Sequence, residues 1–131
     1  MQKFLLTYFI FLFSSPILFS QSSVLERKLH TNWTFQEKNS NKWFPATVPG
    51  CVHTDLMANG IIEDPYYRLN ESKVQWIDKK DWIYQNIFEN SEDEIELQNH
   101  ELRFEGLDTY ARVYLNDIII LESNNMHRTY N

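Results

Sequence analysis

Tyr110-Ala111-Arg112-Val113-Tyr114-Leu115-Asn116-Asp117-Ile118-Ile119-Ile120-Leu121 is the stretch that decides the fold class. Ala111, Val113 and Leu115 alternate with Tyr110, Arg112 and Tyr114, the period of two that sends successive side chains to opposite faces of a strand. Asn116 and Asp117 both tolerate positive φ, so they can close a two-residue turn, and Ile118 to Leu121 returns as the partner strand. A β-hairpin is expected here.

Working back from the hairpin, Glu105-Gly106-Leu107-Asp108 reads as a turn, and Glu96 to Phe104 as a strand with Leu97, Leu102 and Phe104 as its apolar positions. Glu89 to Glu96 carries five acids, the composition of a solvated turn. Asp81 to Phe88 alternates Trp82, Tyr84, Asn86 and Phe88 against Ile83, Gln85 and Ile87, with β propensity on both faces, and is expected as a central strand. Near the other end, Thr31 to Gln36 alternates aromatic and polar residues as a half-buried strand does, and Lys38 to Asn41 is a polar turn. Trp43 to Pro49 holds two prolines, which cannot donate to a ladder and so confine the segment to an edge or loop.

One short helix is expected at Thr54 to Ala58, with Thr54 as cap, Asp55 at the positive end and Asn59-Gly60 as a left-handed stop. Ile61 to Lys73 follows as a long loop. Five or six strands, one helical turn and long aromatic loops make an all-β chain, an antiparallel β-sandwich of jelly-roll type. Glu122 to Asn131 adds no closing element, which would leave a strand edge bare. The expectation is a sandwich incomplete at its C-terminal end, spanning residues 21–131, within a longer protein.

Composition narrows the function classes. At 131 residues the chain has room for one domain, and 43% hydrophobic content suffices for a core. A net charge of −6 argues against a nucleic-acid partner, because neutralising phosphates needs a surplus of Lys and Arg. Cys51 is the only cysteine, so no intramolecular disulfide can form, and it reads as a buried small apolar residue. Lys3, the apolar run Phe4 to Phe13, Pro16 and Ser20 have the layout of a secretory signal peptide over residues 1–20, with cleavage expected after Ser20. The run is too broken for a membrane span, so no membrane association is expected after cleavage. Export implies a secreted or periplasmic protein, or a lysosomal one in a eukaryote. In a eukaryotic secretory pathway Asn32-Trp33-Thr34 and Asn70-Glu71-Ser72 would be glycan acceptors.

Chemistry is harder to find. Cys51, His53 and Asp55 alternate, but a helix starting at Thr54 would separate them, which disfavours a nucleophilic triad. His30, His53, His100 and His127 have no metal-site spacing, and three glycines build no phosphate loop, so neither metal nor cofactor is expected. Glycoside hydrolysis needs two carboxylates facing across a cleft, and no spacing here selects a pair. The informative feature is a set of loops, Asp64 to Arg68 and Trp76 to Trp82, unusually rich in Trp, Tyr and single charges. Aromatic faces can stack on a sugar while Asp, Asn and Arg bond its hydroxyls. Alternatively, these rings pack the loops down and Asp64 pairs with Arg68.

The run Val48-Pro49-Gly50-Cys51-Val52-His53-Thr54-Asp55-Leu56, the loop Asp64-Pro65-Tyr66-Tyr67-Arg68 with Asn70-Glu71, and Val74-Gln75-Trp76-Ile77 with Asp81-Trp82-Ile83-Tyr84 resemble the N-terminal domain of the β-mannosidases of glycoside hydrolase family 2. Leu102 to Asn116 resembles the hairpin found across that family's sugar-binding, galactose-binding-like domains. The resemblance covers Trp33 to Arg128. It implies an exo-acting retaining glycosidase that removes terminal β-linked mannose from β-mannoside oligosaccharides. Its catalytic glutamates would lie in a barrel that follows in the same chain, and no catalytic residue is assigned here. By the same resemblance Asn86 stands near the position of a sugar-reaching Asn in related β-galactosidases. The expected substrate edge is Asp64, Tyr67, Arg68, Trp76, Trp82 and Asn86. Two rival readings are a secreted non-catalytic carbohydrate-binding module and a family 2 relative with another sugar preference, such as an exo-glucosaminidase.

Overall fold

A computed structural model describes residues 24–131. The signal peptide expected at 1–20 lies outside the described residues. Three strands form one antiparallel sheet in the order β2 (Phe44–Pro45), β1 (Thr34–Glu37), β3 (Trp82–Gln85). Register explains the core. Phe35 faces Phe44 on one side and Tyr84 on the other, while Trp82 faces Glu37, so one face of the sheet collects four aromatic rings. The Phe35 ring is fully buried, with centroids 5.5 Å from Tyr84, 5.9 Å from Phe44 and 5.9 Å from Trp82.

Two helices cover that face. α1 (Val52–Ala58) contributes Leu56, and α2 (Glu71–Val74) with the following 3-10 turn (Ile77–Lys79) contributes Val74 and Ile77. Burying each of these side chains stabilises the fold by about 1.5–3 kcal/mol relative to exposure. Trp76, Trp82 and Tyr84 close the margin of the cluster.

Several expectations need correction. α1 begins at Val52, two residues before Thr54, and Thr54 is not its cap. The threonine sits inside the first turn, where its Oγ1 accepts from the Cys51 amide at 3.3 Å and donates to the Cys51 carbonyl at 2.7 Å. Cys51 is consequently an exposed residue at the helix entrance and not a buried one. The stop is as expected: Gly60 takes φ +68°, and the Asn59 side-chain Nδ2 donates to the Asp55 carbonyl at 2.7 Å and the Pro45 carbonyl at 2.9 Å. β1, not β3, is the middle strand, since β3 pairs only with β1 among the described residues and leaves Ile83 exposed. Pro45 does lie in an edge strand.

No strand forms over Glu96 to Phe104. Leu97 and Leu102 differ by an odd number of positions, so they cannot share a strand face, and only Phe104 pairs, through a two-way bridge to Tyr130. The acidic run before it folds as a helical turn, α3 (Glu92–Ile95), because Ser91 and Glu94 cap each other: Glu94 N donates to Ser91 Oγ at 3.3 Å and Ser91 N to Glu94 Oε2 at 2.7 Å. Arg27 reaches across from the N-terminal segment to the same carboxylate at 2.9 Å, to the Glu89 carbonyl at 2.9 Å and to Asn90 Oδ1 at 3.3 Å.

The hairpin forms where expected, as β4 (Ala111–Leu115) and β5 (Ile118–Ser123). Asn116 and Asp117 take φ 49° and 64°, the doubly positive pair whose twist matches that of the flanking strands. The pairing shifts by one residue between Val113 and Tyr114. Its sheet stays separate from the other, and the sandwich is open among the described residues.

Candidate functional site

The loop expected over Ile61 to Lys73 ends earlier, at Asn70, because α2 begins at Glu71, and it is held by a few polar atoms. Asp64 Oδ1 accepts the Tyr66 amide at 2.9 Å, its carbonyl accepts the Tyr67 amide at 3.1 Å, and the Asn70 side chain donates to that carbonyl at 3.0 Å. Asn70 is only 6% exposed, so this amide is the buried keystone of the loop. Arg68 sits at φ +54° with its guanidinium 5.0 Å from the Tyr67 ring centre. No ion pair joins Asp64 to Arg68 among the described residues: the carboxylate is used on the loop's own backbone, and the guanidinium lies on the neighbouring tyrosine.

The six candidates therefore separate into two groups. Asp64, Tyr67 and Arg68 stand on the exposed loop, with Tyr67 57% exposed. Trp76, Trp82 and Asn86 belong to the scaffold. Trp82 packs at a tilt against Phe35 and donates its indole N–H to the Ile77 carbonyl at 3.1 Å; Trp76 lies 6.0 Å from Trp82; Asn86 donates to the Thr31 carbonyl at 2.7 Å. One edge of Trp76 still borders an open groove of about 330 Å³ beside Ile61 and Ile62, with the Glu63–Lys73 ion pair at 3.1 Å flanking it.

A second open groove, of about 310 Å³, has Glu37 and Asp81 on its wall. Both are paired to lysines, Glu37 to Lys80 at 2.7 Å and Asp81 to Lys38 at 2.9 Å, so they do not form a free acid and base. Asp55 is the one buried carboxylate among the described residues, and it is fully engaged. Its Oδ1 accepts the Thr47 amide at 2.9 Å and its Oδ2 the Tyr84 hydroxyl at 2.8 Å. Burial and then the Asp55 carboxylate push the Tyr84 hydroxyl above the ordinary tyrosine range. This link ties α1, β3 and the segment after β2 into one body, and sequence reading missed it, taking Asp55 only as a helix-end charge. The available signal was its place beside Leu56 and three residues after Val52, on the face of α1 that turns inward.

Residues 33–131 match the family described as glycosyl hydrolase 2 galactose-binding domain-like. The chain belongs to that family. Among the relatives of this glycosyl hydrolase 2 domain are the β-mannosidase of Capra hircus, 40% identical over 109 residues, and β-mannosidase B of Aspergillus terreus, 39% identical over 109 residues. They are matched over 83% and 80% of this chain but over 12% and 13% of their own lengths. The crystal structure of a β-D-mannosidase from Dictyoglomus thermophilum superposes with a TM-score of 0.77 at 43% identity, covering 79% of this chain and 13% of that one. The glycosyl hydrolase 2 domain seen here thus spans about an eighth of the relatives it matches.

Proposed function

We propose that this chain is the sugar-binding-type N-terminal domain of a retaining exo-β-mannosidase, which hydrolyses terminal non-reducing β-D-mannose residues in β-mannosides. The observation that carries the reading is the 37–43% identity, sustained over most of the domain, to β-mannosidases from mammals, fungi and a bacterium. The state of the carboxylates here supports a division of labour. Retaining hydrolysis needs two carboxyl groups facing across a substrate cleft, whereas Asp55 is locked inside the fold and Glu37 and Asp81 are held by lysines. Catalysis is accordingly assigned to later domains of the same polypeptide, and this domain alone turns over nothing.

Within that protein, Asp64, Tyr67 and Arg68 are the residues we keep at the substrate edge. Tyr67 presents a ring and Arg68 a fork of donors on a loop whose backbone is already ordered, which lowers the entropy lost on contact. Trp76 and Trp82 would act through the scaffold, by holding the 3-10 turn that follows the loop, and Asn86 by fixing the segment ahead of β1 through the Thr31 carbonyl. Export, through a signal peptide at residues 1–20 and a domain beginning near Gln21, is part of the same proposal, with a secreted, periplasmic or lysosomal destination.

The test is to express the complete reading frame and the 131-residue chain side by side and to assay 4-nitrophenyl β-mannoside. The reading expects hydrolysis by the first and none by the second. A complete protein that binds mannan without hydrolysing any β-mannoside would replace it with a binding module, and one that prefers a β-glucosaminide would move the specificity.

A further inference from the structure

Arg68 takes φ +54° in the middle of its loop. In that left-handed region the Cβ of an L residue crowds the following carbonyl oxygen, so glycine, asparagine or aspartate is the ordinary occupant. Among the described residues Asn32, Asn116, Asp117 and Gly60 follow the rule at positive φ, and Arg68 alone breaks it. A turn that needed only its backbone shape would be better served by glycine.

The neighbours hold the strain in place. Asp64 Oδ1 accepts the Tyr66 amide at 2.9 Å, and the Asp64 carbonyl accepts the Tyr67 amide at 3.1 Å and the buried Asn70 side chain at 3.0 Å. The Tyr67 carbonyl accepts the Asn70 amide at 3.2 Å, which closes the chain around residue 68. The guanidinium lies 5.0 Å from the Tyr67 ring centre, but both side chains are exposed, and a cation–π contact at an exposed site is weaker than left-handed strain. Charge pairing does not account for the arginine either, since no carboxylate pairs with it among the described residues. A strained residue whose side chain returns little to the fold points to a use outside it.

The chemistry of the group names that use. A guanidinium is a planar fork of N–H donors with no acceptor, and stacking on Tyr67 orients its plane in advance. Such a fork suits the hydroxyl oxygens of a sugar, with the Tyr67 face free for its C–H groups. Position selects which sugar. Asp55 is engaged inside the fold and Glu37 and Asp81 are paired with lysines, so hydrolysis falls to later domains. A group contributed by this separate domain meets the part of the substrate that projects from the reacting centre. For an exo-acting hydrolase that part is the residue on the leaving side of the scissile bond.

We infer that Arg68 is a specificity-determining residue that binds the sugar on the leaving-group side of the scissile bond, so that the complete protein favours β-mannosides whose aglycone is itself a sugar. The inference rests on the mannosidase reading and names the substrate class within it.

The test uses the full-length protein with its Arg68→Gly and Arg68→Asn variants, and sets 4-nitrophenyl β-mannoside, whose aglycone carries no hydroxyl, against β-1,4-mannobiose. Glycine and asparagine both accept the left-handed backbone, so the variants keep the turn and lose the fork. In both, kcat/KM for mannobiose should fall about tenfold further than for the nitrophenyl substrate, the size expected for a charged hydrogen bond made to one substrate only. Arg68→Gly should unfold at a temperature no lower than the parent's, because the strain is relieved. Equal falls for the two substrates, no fall for mannobiose in either variant, or earlier unfolding of Arg68→Gly overturns the inference. A parent inert toward both β-mannosides sinks the mannosidase reading and this inference with it, whereas an active parent whose variants keep its selectivity sinks the inference alone.

Discussion

Replacing Tyr84 by Phe removes a single oxygen from the link between β3 and α1, and the consequence can be worked out. The hydroxyl donates to Asp55 Oδ2 at 2.8 Å, and the carboxylate is 2% exposed, so no water readily takes the vacated place. A hydrogen bond to a charged group contributes about 1.5–3 kcal/mol. Tyr84 is only partly buried, which puts Tyr84→Phe at the lower end, about 1–2 kcal/mol. Asp55→Ala removes both acceptors and strands the Thr47 amide and the Tyr84 hydroxyl, at about 2–4 kcal/mol. The double variant should fall short of the sum by about 1–2 kcal/mol, because the second substitution removes an interaction already lost.

Native-state hydrogen exchange at the α1 amides of the full-length protein reads this directly, with about a tenfold faster exchange for each 1.4 kcal/mol. A second readout is pH. Tyr84 has a raised pKa in the fold, so the stability it contributes is complete below the ordinary tyrosine value near 10 and declines as pH rises beyond it. That alkaline decline should be shallower in Tyr84→Phe. Exchange rates equal to those of the parent in both single variants, or strict additivity in the double variant, would refute the reasoning.

Three further outcomes are expected. Gly50→Ala should destabilise more than Gly60→Ala, as judged by thermal unfolding: a Cβ at Gly50 would collide with the Thr47 carbonyl oxygen, whereas at Gly60 a Cβ meets open space and costs only the strain of a left-handed φ of +68°, about 1–2 kcal/mol. The Glu94 carboxyl is held below the ordinary range chiefly by the Ser91 amide, with Arg27 and His100 adding to it. A depressed pKa means stability that is present above the unfolded value and lost as pH falls through the folded one, so protection of the Ser91 amide should fade on acidification and the effect should vanish in Glu94→Gln. In a eukaryotic secretion host, a glycan should appear at Asn32, which is exposed at a bend with φ 63°, and not at Asn70, whose side-chain nitrogen is buried on the Asp64 carbonyl; mass spectrometry of the Asn32→Gln variant checks both sites.

Particular elements show what was legible. The hairpin was readable because both of its signals are local, an alternation of two and an Asn-Asp pair suited to positive φ. The Gly60 stop was readable for the same reason. The order of β1 and β3 was not, because strong β propensity on both faces of Trp82 to Phe88 does not say which strand will find two partners. Glu96 to Phe104 was misread by counting apolar residues without their phase, and the neighbouring acidic run by reading charge without the Ser91 and Glu94 capping pair. At the candidate site, residue types pointed to Asp64, Tyr67, Arg68, Trp76, Trp82 and Asn86 alike. Only packing separated the exposed loop from the scaffold, since a tryptophan suits a core and a sugar surface equally well.

The sequence alone determined the all-β class, the hairpin and the likeness to family 2 sugar-binding domains, because these reside in short-range periodicity, turn chemistry and contiguous motifs. Tertiary structure decided that Asp55 and Tyr84, 29 positions apart, meet inside the fold, that Arg27 binds the α3 carboxylate 67 positions away, and that Asn70 turns inward while Tyr66 and Leu69 face out. Such pairings depend on which surfaces the packed elements bring together, and the identity of a residue does not specify its distant neighbour.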